Sequence, residues 1–286
     1  MFRITDVFHI THVVDDLDGA VDWYEDVFSP IVFQRTEVLN NSLALMVIGD
    51  VVLMPLQPGS TVPTPAAGFR AKFGQHLHSL AVHVQDPEDF MAHMESLGHS
   101  LSGARGGAVE GPGDEIWTKP RDFPGLYELW APRIEEDPRL VEGWSSAFWR
   151  DEHPLGLVGP AWVTVVTDDR TGRSPGLATA FRAPIVHESP STPCATESTF
   201  LELGSGVVLE VAQPTTPDGA AAVDLGACGE ILHAVTFEVA DAERAAVHLA
   251  QRGLEVEQPG RGVVTVNPND ALGVRFRFTE GTFSDW

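Results

Sequence analysis

Histidines and carboxylates set within apolar, strand-forming runs are where this sequence could do chemistry. Glu128 stands in Leu126-Tyr-Glu-Leu-Trp130, an otherwise apolar run. A lone inward carboxylate among such neighbours is costly unless paired, so Glu128 is a candidate for acid–base work or metal ligation. His9 lies in Val7-Phe-His-Ile-Thr-His-Val-Val14, whose β-branched residues suit a strand. His83 lies in Leu77-His-Ser-Leu-Ala-Val-His-Val-Gln-Asp86. An imidazole titrates near the working pH range, which makes His83 a candidate general base. Alternation along this run puts Ser79, Ala81 and His83 on one face. His78, Leu80, Val82 and Val84 fall on the other, whose apolar character suits a helix layer. A bulge near Ser79 would turn His78 to the first face. Each residue also has a plainer reading. His9 could line a pocket, His83 could be a solvated strand-end histidine, and His12 reads as a hydrogen-bonded core or edge residue. His78 has a counterpart in His233, which favours a structural role for both.

The elements that would position these residues repeat along the chain. Strand 7–14 runs into a turn at Asp15 to Gly19, with Asp16 or Asp18 able to cap the next helix. Ala20, Val21, Tyr24, Val27 and Phe28 recur at helical spacing, and Pro30 ends that helix. Strands are predicted at Ile31–Arg35, Ser42–Ile48 and Val51–Leu56, the last two joined by a Gly49-Asp50 hairpin turn. Residues 58–68 read as a turn-rich connection. The βαβββ pattern returns with strand 77–86, helix Pro87–Leu97 and strands at Ser100–Leu101, Glu115–Thr118 and Leu126–Trp130. It returns again with Leu232–Asp241, which aligns without a gap on residues 77–86, and helix Ala242–Gln251. A Pro-x-x-x-x-Gly turn, Pro120 to Gly125 and Pro268 to Gly273, precedes the last strand in both. Residues 161–214 supply a looser copy, in which Asp168 matches Asp16 and 207–214 matches 51–58. Such self-similarity is the signature of a repeat architecture. The domains expected are therefore 1–130, a linker over 131–160, and 161–286. Trp144, Phe148 and Trp149 recur at helical spacing in the linker. They predict a helix that packs on a domain or across a contact between two copies, as in a homodimer.

Composition excludes several classes of function. The 286 residues carry 41 acidic against 18 basic side chains, a net charge of -23. Such a surface repels phosphate backbones and anionic membrane faces, so neither nucleic acid nor membrane is an expected partner. No apolar run approaches the roughly 20 residues of a membrane span. The two cysteines, Cys194 and Cys228, make no disulfide framework and point to a reduced, cytoplasmic setting. There is no Gly-rich phosphate loop, no Gly-x-Ser-x-Gly elbow and no nucleotide fingerprint, so neither nucleotide nor flavin is expected.

His9 seven residues before Asp16, the four βαβββ copies and the Pro-x-x-x-x-Gly turn together resemble the vicinal oxygen chelate superfamily. That group includes glyoxalase I, bleomycin-resistance proteins, methylmalonyl-CoA epimerase and extradiol dioxygenases. The resemblance implies an α+β fold in which four modules build two cupped, eight-stranded mixed sheets. It implies a divalent metal inside a cup, held from the first and last strands of each module and chelating two neighbouring substrate oxygens. In the N-terminal cup the family positions fall on His9, Met54, Ser79 and Glu128. In the C-terminal cup they fall on Ala161, Glu210, Ala234 and Phe276. One donor in four disfavours metal in the second cup, and with it an extradiol dioxygenase.

The N-terminal cup is thus the expected working site. His9 and Glu128 are donors suited to Fe, Mn, Zn or Ni, with His78 as a candidate third ligand. His9, Glu128 and His83 are the candidate catalytic residues. Met54, Ser79 and Trp130 are expected to contact the substrate. The function expected is that of a metal-assisted isomerase, lyase or oxygenase acting on a small oxygen-rich or aromatic molecule. The rival reading is a metal-free protein that sequesters such a ligand, or an acid–base catalyst using His9 and Glu128 alone. Met54 and Ser79 favour the rival; the retained His9–Glu128 pair favours the enzyme.

Overall fold

Strand-forming and helix-forming runs fold close to where their periodicities place them. The structure, a computed structural model, describes residues 1–60, 64–103, 106–109, 111, 115–130, 133–204 and 206–286. The first module is β1 (Arg3–Val13), α1 (Leu17–Phe28), β2 (Ile31–Val38), β3 (Asn41–Ile48) and β4 (Val51–Pro58). Asp16 takes the N-cap position of α1, although its side chain makes no capping hydrogen bond. The helix buries Leu17, Ala20, Val21, Tyr24, Val27 and Phe28, the stripe read from the sequence. It stops at Ser29, which turns left-handed and returns its N–H to the Glu25 carbonyl.

The connection expected over 58–68 holds part of a helix, α2 (Pro65–Phe73), capped by Thr64 with proline in its first turn. Positions 61–63 lie outside the described residues. The second module is β5 (His76–Gln85), α3 (Pro87–Ser96), β6 (Ser102–Gly103), β7 (Ile116–Trp117) and β8 (Tyr127–Trp130). The third is β9 (Trp162–Val166), α4 (Arg170–Phe181), β10 (Ile185–Ser189), β11 (Thr196–Gly204) and β12 (Val207–Pro214), followed by a further helix, α5 (Ala220–Cys228). The fourth is β13 (Leu232–Glu238), α6 (Ala242–Gln251), β14 (Val256–Gly260), β15 (Val263–Val266) and β16 (Arg275–Thr279).

Two eight-stranded mixed sheets result. Their strand orders are β2-β3-β4-β1-β5-β8-β7-β6 and β10-β11-β12-β9-β13-β16-β15-β14. Position for position the orders are the same, as a repeat demands. Within each, the first and last strands of a module lie side by side and parallel, β5 on β8 and β13 on β16.

By contact, the described residues fall into two compact units, one of 1–10, 78–134 and 163–232, the other of 11–77, 135–162 and 233–286. The first unit has an aromatic core in which Phe181 lies 4.9 Å from Tyr127 and 5.5 Å from Phe123. In the second, Phe28 of α1 lies 5.3–6.1 Å from Phe237, Phe276 and Phe278.

The linker is not the continuous helix expected. Residues 131–132 lie outside the described residues, and 133–160 hold only a 3-10 turn at Pro138–Leu140 and a π-helical turn at Phe148–Glu152. Gly143 lies between them at φ 85, a left-handed conformation that no helix passes through. Residues 144–146 are in no helix, and the three aromatics part company. Trp149 is buried and donates its indole N–H to the Phe28 carbonyl at 2.8 Å. Trp144 donates to Asp50 at 3.2 Å, and Phe148 is exposed. Among the described residues no helix is long and apolar enough to cross a membrane.

Candidate active site

Strand order builds this site, because β1, β5 and β8 are neighbours in the first sheet. β1 carries His9 and β8 carries Glu128, and both side chains are buried, at 1% and 2% exposure. His9 Nε2 stands 3.7 Å from Glu128 Oε2, beyond hydrogen-bond reach. Neither ring nitrogen of His9 has a hydrogen-bond partner. Trp130, two residues beyond Glu128 and so on the same face, donates its indole N–H to Glu128 Oε1. That bond fixes the carboxylate and leaves Oε2 towards His9.

Ala81 on one side and Trp117 on the other are the register partners of Glu128. Partners in register share a face. The His78 ring lies 5.8 Å from that of Trp117. Burial pushes the His78 imidazole down to about 4, while the charge of Glu128 pulls it the other way. His78 therefore stands on the Glu128 side, not in the helix layer where strict alternation puts it. Its Nδ1 lies 3.1 Å from the hydroxyl of buried Ser79.

His83 is in register with Trp130 and stacks on Phe8 at 4.7 Å. Its Nε2 is 3.9 Å from Asp6 Oδ1, and the other oxygen of Asp6 receives Arg133. Phe8 also meets Trp130 edge-on at 5.5 Å. His9, His78, Ser79, His83, Glu128 and Trp130 thus lie together in the first unit. Met54 is buried on β4, which belongs to the second unit.

The donor set bears on whether a divalent ion fits. Imidazole and carboxylate are apt ligands, and 3.7 Å is shorter than two bonds of about 2.1 Å end to end, so one ion could touch both. A buried imidazole whose two ring nitrogens have no protein partner is also suited to ligating an ion. Among the described residues, no third His, Cys, Asp or Glu has a ligand atom within 4.8 Å of both. The protein supplies two donors, and His78 flanks them.

His12, three residues along β1, differs sharply from His9. Its Nε2 donates to the Leu272 carbonyl at 2.8 Å, and its Nδ1 accepts from the Tyr24 hydroxyl at 2.9 Å. It is a structural histidine, and burial pushes it down to about 4.

The second sheet corrects two positions read from the sequence. Asp169, not Asp168, is the N-cap of α4, as Asp16 is of α1. The bond from Thr167 N–H to the Ala212 carbonyl likewise repeats that from Val14 to Leu56. The counterpart of His9 is therefore Trp162, not Ala161. Thr236, which aligns on Ala81, is in register with Arg277, so Arg277 and not Phe276 takes the place of Glu128. Phe276 packs instead on α1, 5.3 Å from Phe28. The Asp168-Asp169 doublet admits two alignments, and the cap and the Thr167 backbone bond separate them. Glu210 is buried, its carboxylate receiving Thr164 at 2.5 Å and Ser198 at 2.7 Å. The corrected positions, Trp162, Glu210, Ala234 and Arg277, still hold a single metal donor.

Comparison with known proteins agrees with this architecture. Residues 7–138 match the family model described as the Glyoxalase/Bleomycin resistance protein/Dioxygenase superfamily. No curated protein sequence matches the chain. Among solved structures, a triple mutant of 4-hydroxymandelate synthase from Streptomyces coelicolor superposes with a TM-score of 0.69 at 14% identity, covering 99% of this chain and 95% of that one. Methylmalonyl-CoA epimerase from Mycobacterium tuberculosis gives a TM-score of 0.41 at 18% identity, covering 44% of this chain and 89% of that one. At such identity the first likeness speaks for the fold alone.

Proposed function

Residues 7–138 belong to the Glyoxalase/Bleomycin resistance protein/Dioxygenase superfamily, and from that footing we propose that the chain is a metal-assisted isomerase, lyase or oxygenase of a small oxygen-rich or aromatic molecule, working at His9 and Glu128. The observation that carries this reading is the buried His9 ring, unbonded at both nitrogens and 3.7 Å from a buried carboxylate. A direct acid–base pair would close to hydrogen-bond distance; this pair stands apart as two ligands of one ion do. A divalent ion there would polarise a substrate carbonyl or diolate and acidify its neighbouring proton.

The chain's own groups do the rest. Trp130 holds Glu128 by its indole bond, the kind of outer contact that orients a ligand. With His9 and Glu128 as its protein donors, such an ion would leave room for substrate oxygens. Phe8, Trp117 and Trp130 offer apolar walls to the substrate. His83 is the group placed to take a proton, with Asp6 at 3.9 Å to steady the imidazolium that forms. In this reading residues 1–130 are the working domain and 161–286 a partner domain without its own metal.

Elemental analysis of the purified full chain tests the reading. Stoichiometric metal in the wild type, lost in His9→Ala and in Glu128→Ala, supports it; metal retained in either variant contradicts it. A second reading, a metal-free binding protein or acid–base catalyst, draws on Met54 and Ser79 at two of the four family positions. It predicts no metal, and tight thermal stabilisation by an aromatic ligand that both substitutions abolish.

A further inference from the structure

Past its π-helical turn, the linker is strapped within the second unit by a cluster of basic side chains. His153 of the linker and His248 of α6 are both buried, and their rings meet edge-on 5.1 Å apart. Arg244 of α6 donates to the carbonyls of Pro154 at 2.7 Å and His153 at 3.0 Å. Gly156 leaves room for it: the chain there is left-handed at φ 62, and a Cβ would meet the guanidinium at 2.6 Å. Arg252, at the end of α6, donates to the Asp26 carbonyl at 2.6 Å and to Nδ1 of His248 at 3.0 Å. His248 Nε2 in turn donates to the Val27 carbonyl at 2.9 Å. The cluster thus joins the linker, α6 and the last turn of α1, next to the Phe28 carbonyl that receives the Trp149 indole.

These bonds demand neutral imidazoles. Nδ1 of His248 accepts from Arg252, and Nδ1 of His153 accepts from the Leu155 N–H at 3.3 Å. A proton on either nitrogen sets donor against donor. It also adds a charge beside two guanidiniums, where like charges repel. The acid facing the cluster is Asp26, already 3.7 Å from Arg252. Asp151 on the linker turn is bound by Arg150 at 2.9 Å. We infer that the cluster is an acid-released strap, which docks the linker on α6 while both imidazoles are neutral and lets it go when they take protons. Burial, with the charges of His248, Arg252 and Arg244, pushes the His153 imidazole down to about 4. Burial, with Arg252 and Arg244, also pushes His248 down, against the pull of its Val27 bond and of Asp26. The docked state therefore favours the neutral rings. The strap is fully engaged above pH 6.5, the value of an open imidazole, and weakens as pH falls towards 4. Release frees Trp149 from the Phe28 carbonyl and opens the end of α1. No residue assigned to the metal takes part, so the strap stands or falls apart from that reading.

Hydrogen exchange of the full chain at about pH 7 and about pH 5, corrected for the intrinsic pH dependence of exchange, tests the inference. Protection of the amides over 149–157 is expected to fall about tenfold or more between the two, while that of β16 in the same unit holds. His153→Asn keeps an acceptor for the Leu155 N–H and takes no proton. His248→Gln keeps a donor for Val27 and an acceptor for Arg252, and takes no proton either. The two together are expected to abolish the fall in the linker. His12→Gln should leave that fall unchanged, because His12 belongs to α1 packing and not to the strap. A double variant undocked already at pH 7 is replaced by His153→Asn alone, which should at least halve the fall. The inference is overturned if linker and β16 lose protection together, if the fall survives the substitutions at 153 and 248, or if it vanishes in His12→Gln.

Discussion

Two histidines on one strand show how burial separates structure from function. His12 spends both ring nitrogens on the protein; His9 spends neither. Tyr24→Phe should therefore cost about 1–2 kcal/mol in urea unfolding, since it strands the Nδ1 of His12. His9→Ala should leave the stability of metal-free protein unchanged or raised. Acid acts through the same burial. His12 is held down at about 4 in the fold against 6.5 in the open chain, so the fold favours the neutral ring. Its contribution is intact above pH 6.5 and falls away as pH drops towards 4, by up to about 3 kcal/mol. His78 acts in the same sense. The urea midpoint should decline across that window, and less steeply in His12→Gln. The sequence distinguished the two histidines by alternation alone. It could not show which nitrogens were satisfied, because the partner of His12, Leu272, lies 260 residues away.

At the scale of elements, periodic segments were legible and marginal ones were not. α1 buries six residues along one stripe and was read within three residues of its true start. Helices α2 and α5 bury a single residue each, Ala66 and Ala221, so no apolar stripe announced them. In the linker, helical spacing of aromatics misled, because residues 144–146 are in no helix and the turn at Phe148–Glu152 is π-helical and only five residues long. Trp149 remains the anchor of that segment. Trp149→Ala should cost about 3–5 kcal/mol by the cavity it leaves. Trp149→Phe should cost less, chiefly the bond to the Phe28 carbonyl. Chemical denaturation of the two variants would show the difference.

For the whole molecule, the repeat was the most informative thing in the sequence, and it was also where a one-residue error mattered. Shifting one cap from Asp168 to Asp169 exchanged Ala161 for Trp162, and register exchanged Phe276 for Arg277. Because side chains alternate, each slip swapped an apolar core position for one facing the other way. The fold survives such a slip in the reading; the chemistry does not. The net charge of -23 acts on the molecule as a whole. Self-repulsion should make the fold salt-dependent, with the thermal midpoint rising from low ionic strength to about 0.5 M sodium chloride as the charges are screened. A midpoint independent of salt would mean that the acidic groups are already well paired.

The account rests on His9 and Glu128 as a shared ion site. Its most direct test is the metal content of the purified full chain, measured beside that of His9→Ala and Glu128→Ala at matched stability. One divalent ion per chain in the wild type, and none in either variant, is the predicted result. A wild type free of metal after exposure to Fe, Mn, Zn and Ni, or a variant that keeps its ion, would contradict it.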